Sequence, residues 1–215
     1  MSLANTPRND VSDVQPRPLQ PGGEAPTPAP GPEAMRLEPL SPPRAGPPPA
    51  GAVRPSLRFM AGHPAHWLAL GFGSGLSPIA PGTMGTLWAW GAWAVLGSWL
   101  NPTQLGWLLA ASLPVAWWAS TVTARHLRTA DPSAIVIDEV VAFWAVLWLL
   151  LPAGFWAQCM AFALFRFFDA VKPGPVGWAD RLLHGAQGWR GGFGIVLDDV
   201  VAAFCTLLLI ALWRM

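Results

Sequence analysis

From Phe59 to Ala124 the chain contains no Asp, Glu, Lys or Arg. Val140 to Phe165 and Val200 to Trp213 are two further uncharged runs. Hydrophobic stretches of about 18 or more residues with few charges read as membrane spans. Turn residues divide the apolar sequence into five runs: Met84–Leu100, Leu105–Ala124, Ala134–Leu151, Phe155–Val171 and Gly194–Trp213. The predicted fold class is therefore all-α, a membrane-associated bundle of about five hydrophobic helices. Charged residues make up 12% of the chain, about half the usual share.

The charges that do occur are unevenly placed. Residues 1–58 hold 11 of the 25 charged residues, and residues 1–55 hold 15 of the 24 prolines. Such a composition buries too little apolar surface to offset ordering entropy. The expected organisation is a disordered Pro/Gly/Ala-rich tail over 1–58 and a membrane domain over 59–215. The tail lacks a basic segment followed by an apolar one, so it does not read as a signal peptide. A net charge of +1 without a basic stripe gives no indication of nucleic acid. Cys159 and Cys205 lie in apolar runs and read as small buried hydrophobes.

Lys and Arg loops alternate with uncharged turns. Arg54 and Arg58 precede the first run, and "NPTQ" (101–104) follows it. Arg125 and Arg128 follow the second run, "PAG" (152–154) the third, and Lys172, Arg181 and Arg190 the fourth. The positive-inside rule then predicts a multi-pass chain with its basic loops in the cytoplasm. On that topology the Gly-rich segment 71–86, Asp131, Asp138, Glu139, Arg166, Asp169, Lys172, Asp198 and Asp199 fall at one depth, toward the cytoplasmic side. "DPS" (131–133) reads as a helix start, with Asp or Ser capping and Pro in the first turn.

Acidic groups inside spans are costly, and they are functional candidates by default. Several carboxylates at one depth repel each other without a cation, and hard oxygen ligands select Mg²⁺, Mn²⁺ or Ca²⁺. Mg²⁺ usually completes its shell with water and substrate phosphate, which points to a phosphorylated substrate. "GFGSGLSPIAPGTMGT" (71–86) supplies glycines for close backbone approach, and Thr83 or Thr86 opens the next helix. It is no Walker A loop, because G-K-[ST] is absent. In "RFFDAVK" (166–172), Arg166 and Lys172 would hold phosphate oxygens and Asp169 a metal. A mutual salt-bridge network among these residues is the structural alternative.

Elimination narrows the chemistry. A cysteine phosphatase needs five residues between Cys and Arg, and Cys159 and Arg166 have six. The aspartyl-phosphate motif D-x-D-x-[TV], the phosphohistidine motifs and the D-G-x₂-A-R transferase signature are all absent. Metal-assisted attack of water on phosphorus remains. A small transporter or channel subunit is the rival function. It would need polar residues through the whole depth, and Ala142–Leu151 and Ala203–Trp213 offer almost none.

"GFGSGLSPIAPGTMGTLWA" (71–89), "DPSAIVIDEVVAFW" (131–144), "RFFDAVKPGPVGWAD" (166–180) and "GGFGIVLDDVVAA" (191–203) together resemble the phosphatidylglycerophosphatase A family. The resemblance covers about 70–213. It implies an all-α, Mg²⁺-dependent lipid phosphatase of the bacterial cytoplasmic (inner) membrane that converts phosphatidylglycerophosphate to phosphatidylglycerol. Asp138, Glu139, Asp169, Asp198 and Asp199 are then the expected catalytic carboxylates. Glu139, Asp169, Asp198 and Asp199 are the expected metal ligands. Gly82, Thr83, Thr86, Arg166 and Lys172 are expected to bind the substrate phosphate. The expected partners are a phospholipid substrate and the membrane, and a homo-oligomer is compatible with both. "GAQGWRGGFG" (185–194) is longer than the glycine link expected before the last helix. Soluble relatives share the fold, so the runs need not all cross a bilayer.

Overall fold

The computed structural model describes residues 51–129, 132–183 and 186–214. The tail assigned to 1–58 falls outside this range up to residue 50, as do Asp131 and His184. The described residues form nine helical segments and no strand. Two short helices come first, α1 (Leu57–Ala61) and α2 (Pro64–Ala69), then a 3₁₀ segment, Gly71–Leu76. Six more follow: α3 (Pro81–Gly97), α4 (Pro102–Leu127), α5 (Ile137–Leu149), α6 (Phe155–Val171), α7 (Pro175–Leu183) and α8 (Gly188–Arg214).

Local chemistry sets most boundaries. Asn101 caps α4 in a reciprocal capping box, accepting from Gln104 N–H at 2.9 Å while the Gln104 side chain accepts from Asn101 N–H at 3.0 Å. Pro81 and Pro102 sit at first-turn positions, where a missing N–H costs nothing. α5 departs from expectation. It starts at Ile137, and its N-cap is Val136, which makes no side-chain cap bond. The reason lies upstream: Val136 N–H donates to Ala69 O at 2.8 Å, tying 134–136 to the end of α2 instead of letting them coil.

α5 is the axis of the bundle. Ten of its 13 residues are buried, and α3, α4, α6 and α8 pack around it. Phe143 is fully buried and meets Phe162, Phe165 and Trp90, with ring centroids 5.6–6.5 Å apart. Truncating such a residue to Ala costs about 3–5 kcal/mol. Trp indole groups fasten helices to carbonyl oxygens: Trp144 Nε1 donates to Ala89 O and Trp148 Nε1 to Pro102 O, both at 2.8 Å.

Among the described residues two helices, α4 and α8, are long and apolar enough to cross a membrane. The 13 residues of α5 reach about 20 Å at 1.5 Å per residue, short of a ~30 Å hydrocarbon core. The short helix is the enclosed one. It is shielded by its neighbours, so it need not reach both surfaces.

Candidate active site

The polar residues gather at one end of α5. Asp138 and Glu139 occupy its first turn, and both are buried. Asp199, also buried, reaches them from α8; one carboxylate oxygen from each of the three lies within 4.8 Å of the others. Asp198, one residue back, faces about 100° away, as the helical turn requires. It meets Lys172 Nζ at 2.5 Å.

α6 delivers the cations. Arg166 Nη1 pairs with Asp169 Oδ2 one turn on, and lies 3.9 Å from Glu139 Oε1. Lys172 caps α6 in the left-handed region at φ 49°, a conformation that usually favours Gly. Pro173 and Gly174 turn the chain into α7, which carries Asp180 back to Lys172 Nζ at 2.5 Å. Burial alone would lower the Lys172 pKa. Hydrogen bonds and charges from Asp180 and Asp198 outweigh it and raise the ammonium above its ordinary value. Lys172 therefore stays a fixed positive charge near neutral pH.

These groups line a cavity of about 280 Å³ together with Ala80, Pro81 and Gly82 at the start of α3. The first N–H groups of a helix have no intrahelical acceptor and attract anions. Gly82 is needed there for space: a β-carbon would overlap Glu139 Oε1 and crowd the Arg166 guanidinium. Six carboxylates line the cavity (Asp138, Glu139, Asp169, Asp180, Asp198, Asp199) against two cations (Arg166, Lys172). Fully ionised, that leaves an excess of four negative charges. Asp138 Oδ1 and Glu139 Oε2 are buried with no hydrogen-bond donor, and Arg166 Nε is buried with no acceptor. Orphaned carboxylate oxygens beside an excess of negative charge fit a hard divalent cation.

The sequence-selected residues thus meet, with some redistribution. Glu139 and Asp199 sit together, and Asp138 joins them as the third possible ligand. Asp169 and Asp198 instead engage Arg166 and Lys172. Thr83 and Thr86 do not line the cavity; the Thr86 hydroxyl is fully buried and donates to Gly82 O at 2.9 Å. Asp180 is not among the residues that the sequence singles out, because 172–191 has the polar composition of a loop. The cue was its place eight residues after Lys172, on a turn that Pro-Gly-Pro forces back toward α6.

Comparison with known proteins shows the family. The family model described as phosphatidylglycerophosphatase A matches residues 67–214. The protein of that name from Escherichia coli (strain K12) is 38% identical over 151 residues, covering 67% of this chain and 80% of that protein. The Haemophilus influenzae protein of the same name is 36% identical over 149 residues, covering 69% and 87%. A Bacteroides thetaiotaomicron protein named "Putative phosphatidylinositol-3-phosphatase" is 39% identical over 153 residues, covering 68% and 91%. No solved structure gives a significant match.

Proposed function

The chain belongs to the phosphatidylglycerophosphatase A family, and from that membership we propose that it hydrolyses the terminal phosphomonoester of phosphatidylglycerophosphate to give phosphatidylglycerol. The observation that carries this reading is the cavity itself. Carboxylates in excess, two cations and a free helix N-terminus converge at one depth. All three relatives carry names of phosphatases that act on glycerophospholipids. The channel alternative is not favoured, because the polar groups stop at one end of α5.

Asp138, Glu139 and Asp199 would hold a divalent cation, and Mg²⁺ suits their oxygen donors. When bound, it supplies Lewis-acid polarisation of the phosphoryl group. The chain's own residues position the reaction. Arg166 offers Nε and its terminal nitrogens to phosphoryl oxygens, held in place by Asp169. Lys172, held by Asp180 and Asp198, adds a fixed charge where negative charge develops on phosphorus. Water attacks in line, its proton passing to a carboxylate of the cluster. The P–O bond to glycerol breaks, the glycerol oxygen takes up a proton from the cluster to leave as a hydroxyl, and no covalent enzyme intermediate forms.

The helices belong in the cytoplasmic membrane with the cavity facing the cytoplasm. Arg190 stands in the first turn of α8, Arg125 and Arg128 close α4 beside that turn, and Arg181 follows the cavity-lining Asp180 on α7, while "NPTQ" and "PAG" are uncharged and Arg214 stands at the far end of α8. At that opposite end Trp99, Trp107, Trp156 and Trp213 are between 72% and 83% exposed, as interfacial aromatic residues are. Exposed Leu and Phe side chains on α8, such as Phe204 and Leu212, suit contact with lipid.

The test is phosphate release by the purified full-length protein from phosphatidylglycerophosphate and from phosphatidylinositol 3-phosphate, with and without Mg²⁺. Preferred turnover of the first lipid is expected. No release from it in Mg²⁺ would overturn the reading.

A further inference from the structure

A second cavity of about 310 Å³ adjoins the catalytic one and shares Ala186 and Gly191 with it. The last turn of α4 and the first turn of α8 form its walls. Arg125 and Arg128 line it, and among the described residues its lining contains no carboxylate. Among the described residues neither arginine takes part in an ion pair. Its charge is thus opposite to that of its neighbour.

Arg128 closes α4 in the left-handed region, at φ 58° and ψ 34°. Glycine is the usual occupant there, and a β-carbon is strained. A cation at a helix C-terminus complements the helix dipole. That explains a positive charge near this turn, but not one at its most strained position. Lys172 shows the same arrangement at the end of α6, and its ammonium lines the catalytic cavity. Arg125 lies along the start of α8: a β-carbon on Gly188 would come within 3.0 Å of its Nη2. The first N–H groups of α8 have no acceptor within the helix. Two arginines and a helix N-terminus therefore line one space, and among the described residues they have no anionic partner; this is the donor set that recognises a phosphate group.

We propose that Arg125 and Arg128 form a second phosphate site, which takes the phosphodiester of an anionic glycerophospholipid. This rests on the reading of the adjoining cavity as the site for a lipid phosphomonoester. Phosphatidylglycerophosphate carries both kinds of phosphate, so its own diester is one source of the ligand. The diester of a neighbouring anionic lipid, such as the product, is the other.

The test compares wild-type full-length protein with an Arg125→Gln, Arg128→Gly double variant. Glycine relieves the strained backbone, so folding is retained. With phosphatidylglycerophosphate as the sole anionic lipid in neutral detergent micelles, KM should rise about tenfold while kcat changes little. That result assigns the site to the substrate's own diester. Equal KM values, together with stimulation by added phosphatidylglycerol in wild type alone, assign it to a neighbouring lipid. If the two proteins match in both respects, the proposal is wrong. A binding readout separates this from failure of the functional reading. In EDTA, the soluble diester glycerophosphoglycerol should raise the melting temperature of wild type and not of the variant. A wild-type protein that releases no phosphate but shows this shift loses the proposed function and keeps the second site. If the diester shifts neither protein and kinetics do not distinguish them, no second site exists.

Discussion

Lys172 and Asp198 stand 26 positions apart in sequence, yet Lys172 Nζ donates to Asp198 Oδ2 at 2.5 Å and so ties the end of α6 to the middle of α8. Asp180 completes the clamp from α7 at the same distance. Lys172→Met is expected to lower kcat/KM by about 10²-fold or more, since it removes a charge that acts mainly in the transition state. Lys172→Arg should not restore it, because a planar fork cannot replace a compact ammonium between two carboxylates. Asp180→Asn keeps an acceptor oxygen and should cost less, about tenfold. Steady-state kinetics of the three purified variants checks the order, and an unimpaired Lys172→Met protein would remove Lys172 from the site.

Gly82→Ala separates activity from stability. The β-carbon would strike the end of the Glu139 side chain, which can swing away at little cost to the fold. The displaced carboxylate and the crowded guanidinium are then out of position, and a shift of about 1 Å can cost about 10²-fold in rate. Circular dichroism melts near wild type with turnover reduced by about that factor are expected. Wild-type turnover would show that Gly82 does not set the site geometry.

Removal of divalent cations should abolish turnover, and Mg²⁺ should restore it. Asp138→Asn and Asp199→Asn remove one negative ligand each from a cluster whose oxygens lie within 4.8 Å. Both variants should lose turnover and also lose any rise in melting temperature that Mg²⁺ gives wild type. An Asp199→Asn protein with an unchanged Mg²⁺-dependent shift would remove Asp199 from the ligand set.

A pH effect on stability should arise away from the site. His66 is buried; its Nδ1–H donates to Phe59 O at 2.9 Å, and its Nε2 lies 2.8 Å from His126 Nδ1. Burial lowers its pKa below the ordinary 6.5. The Phe59 carbonyl opposes this, and His126 and His63 add to it. The unfolded chain therefore takes up a proton more readily than the folded one. This contribution to stability is complete above about pH 6.5, falls as pH drops below it, and levels off beneath the folded value. Melting temperatures of wild type measured from pH 8 to 5 should fall in that window relative to those of a His66→Asn variant. His66→Asn should flatten the curve, and a curve unchanged by the substitution would count against His66 as its source.

Much of this architecture was readable because the apolar runs are long and their punctuation is strong. Phe155–Val171 is the same in sequence and structure, bounded by Gly154 and by the Lys-Pro-Gly-Pro turn. α7 was not readable: "PVGWADRLL", nine residues that open with Pro and carry a Gly, an Asp and an Arg, resembles a loop until something packs against it. α8 starts six residues before the apolar run at Gly194, since "GWRGGF" is a poor helix sequence in isolation. Packing overrides propensity there. A β-carbon on Gly192 would collide with Thr121 of α4, so the glycine permits the contact that holds the helix. Charge pairing was partly readable. Residue types and spacing identify acids and cations, but which acid neutralises Lys172 depends on where α7 returns.

The adjacent aspartates of α8 have one further consequence, for the lengths the family can tolerate. Asp198 serves Lys172, while Asp199 serves Asp138 and Glu139. One inserted residue turns everything beyond it by about 100° and advances it about 1.5 Å. If the contact of Gly192 with Thr121 is kept, an insertion between Gly192 and Asp198 moves both carboxylates off their partners together. Exposed side chains such as Phe204 and Leu212 can be exchanged freely by comparison. Active relatives should therefore differ in tail and loop lengths while keeping the same residue count from Gly192 to Asp199, and an active homologue with one residue more in that interval would contradict this.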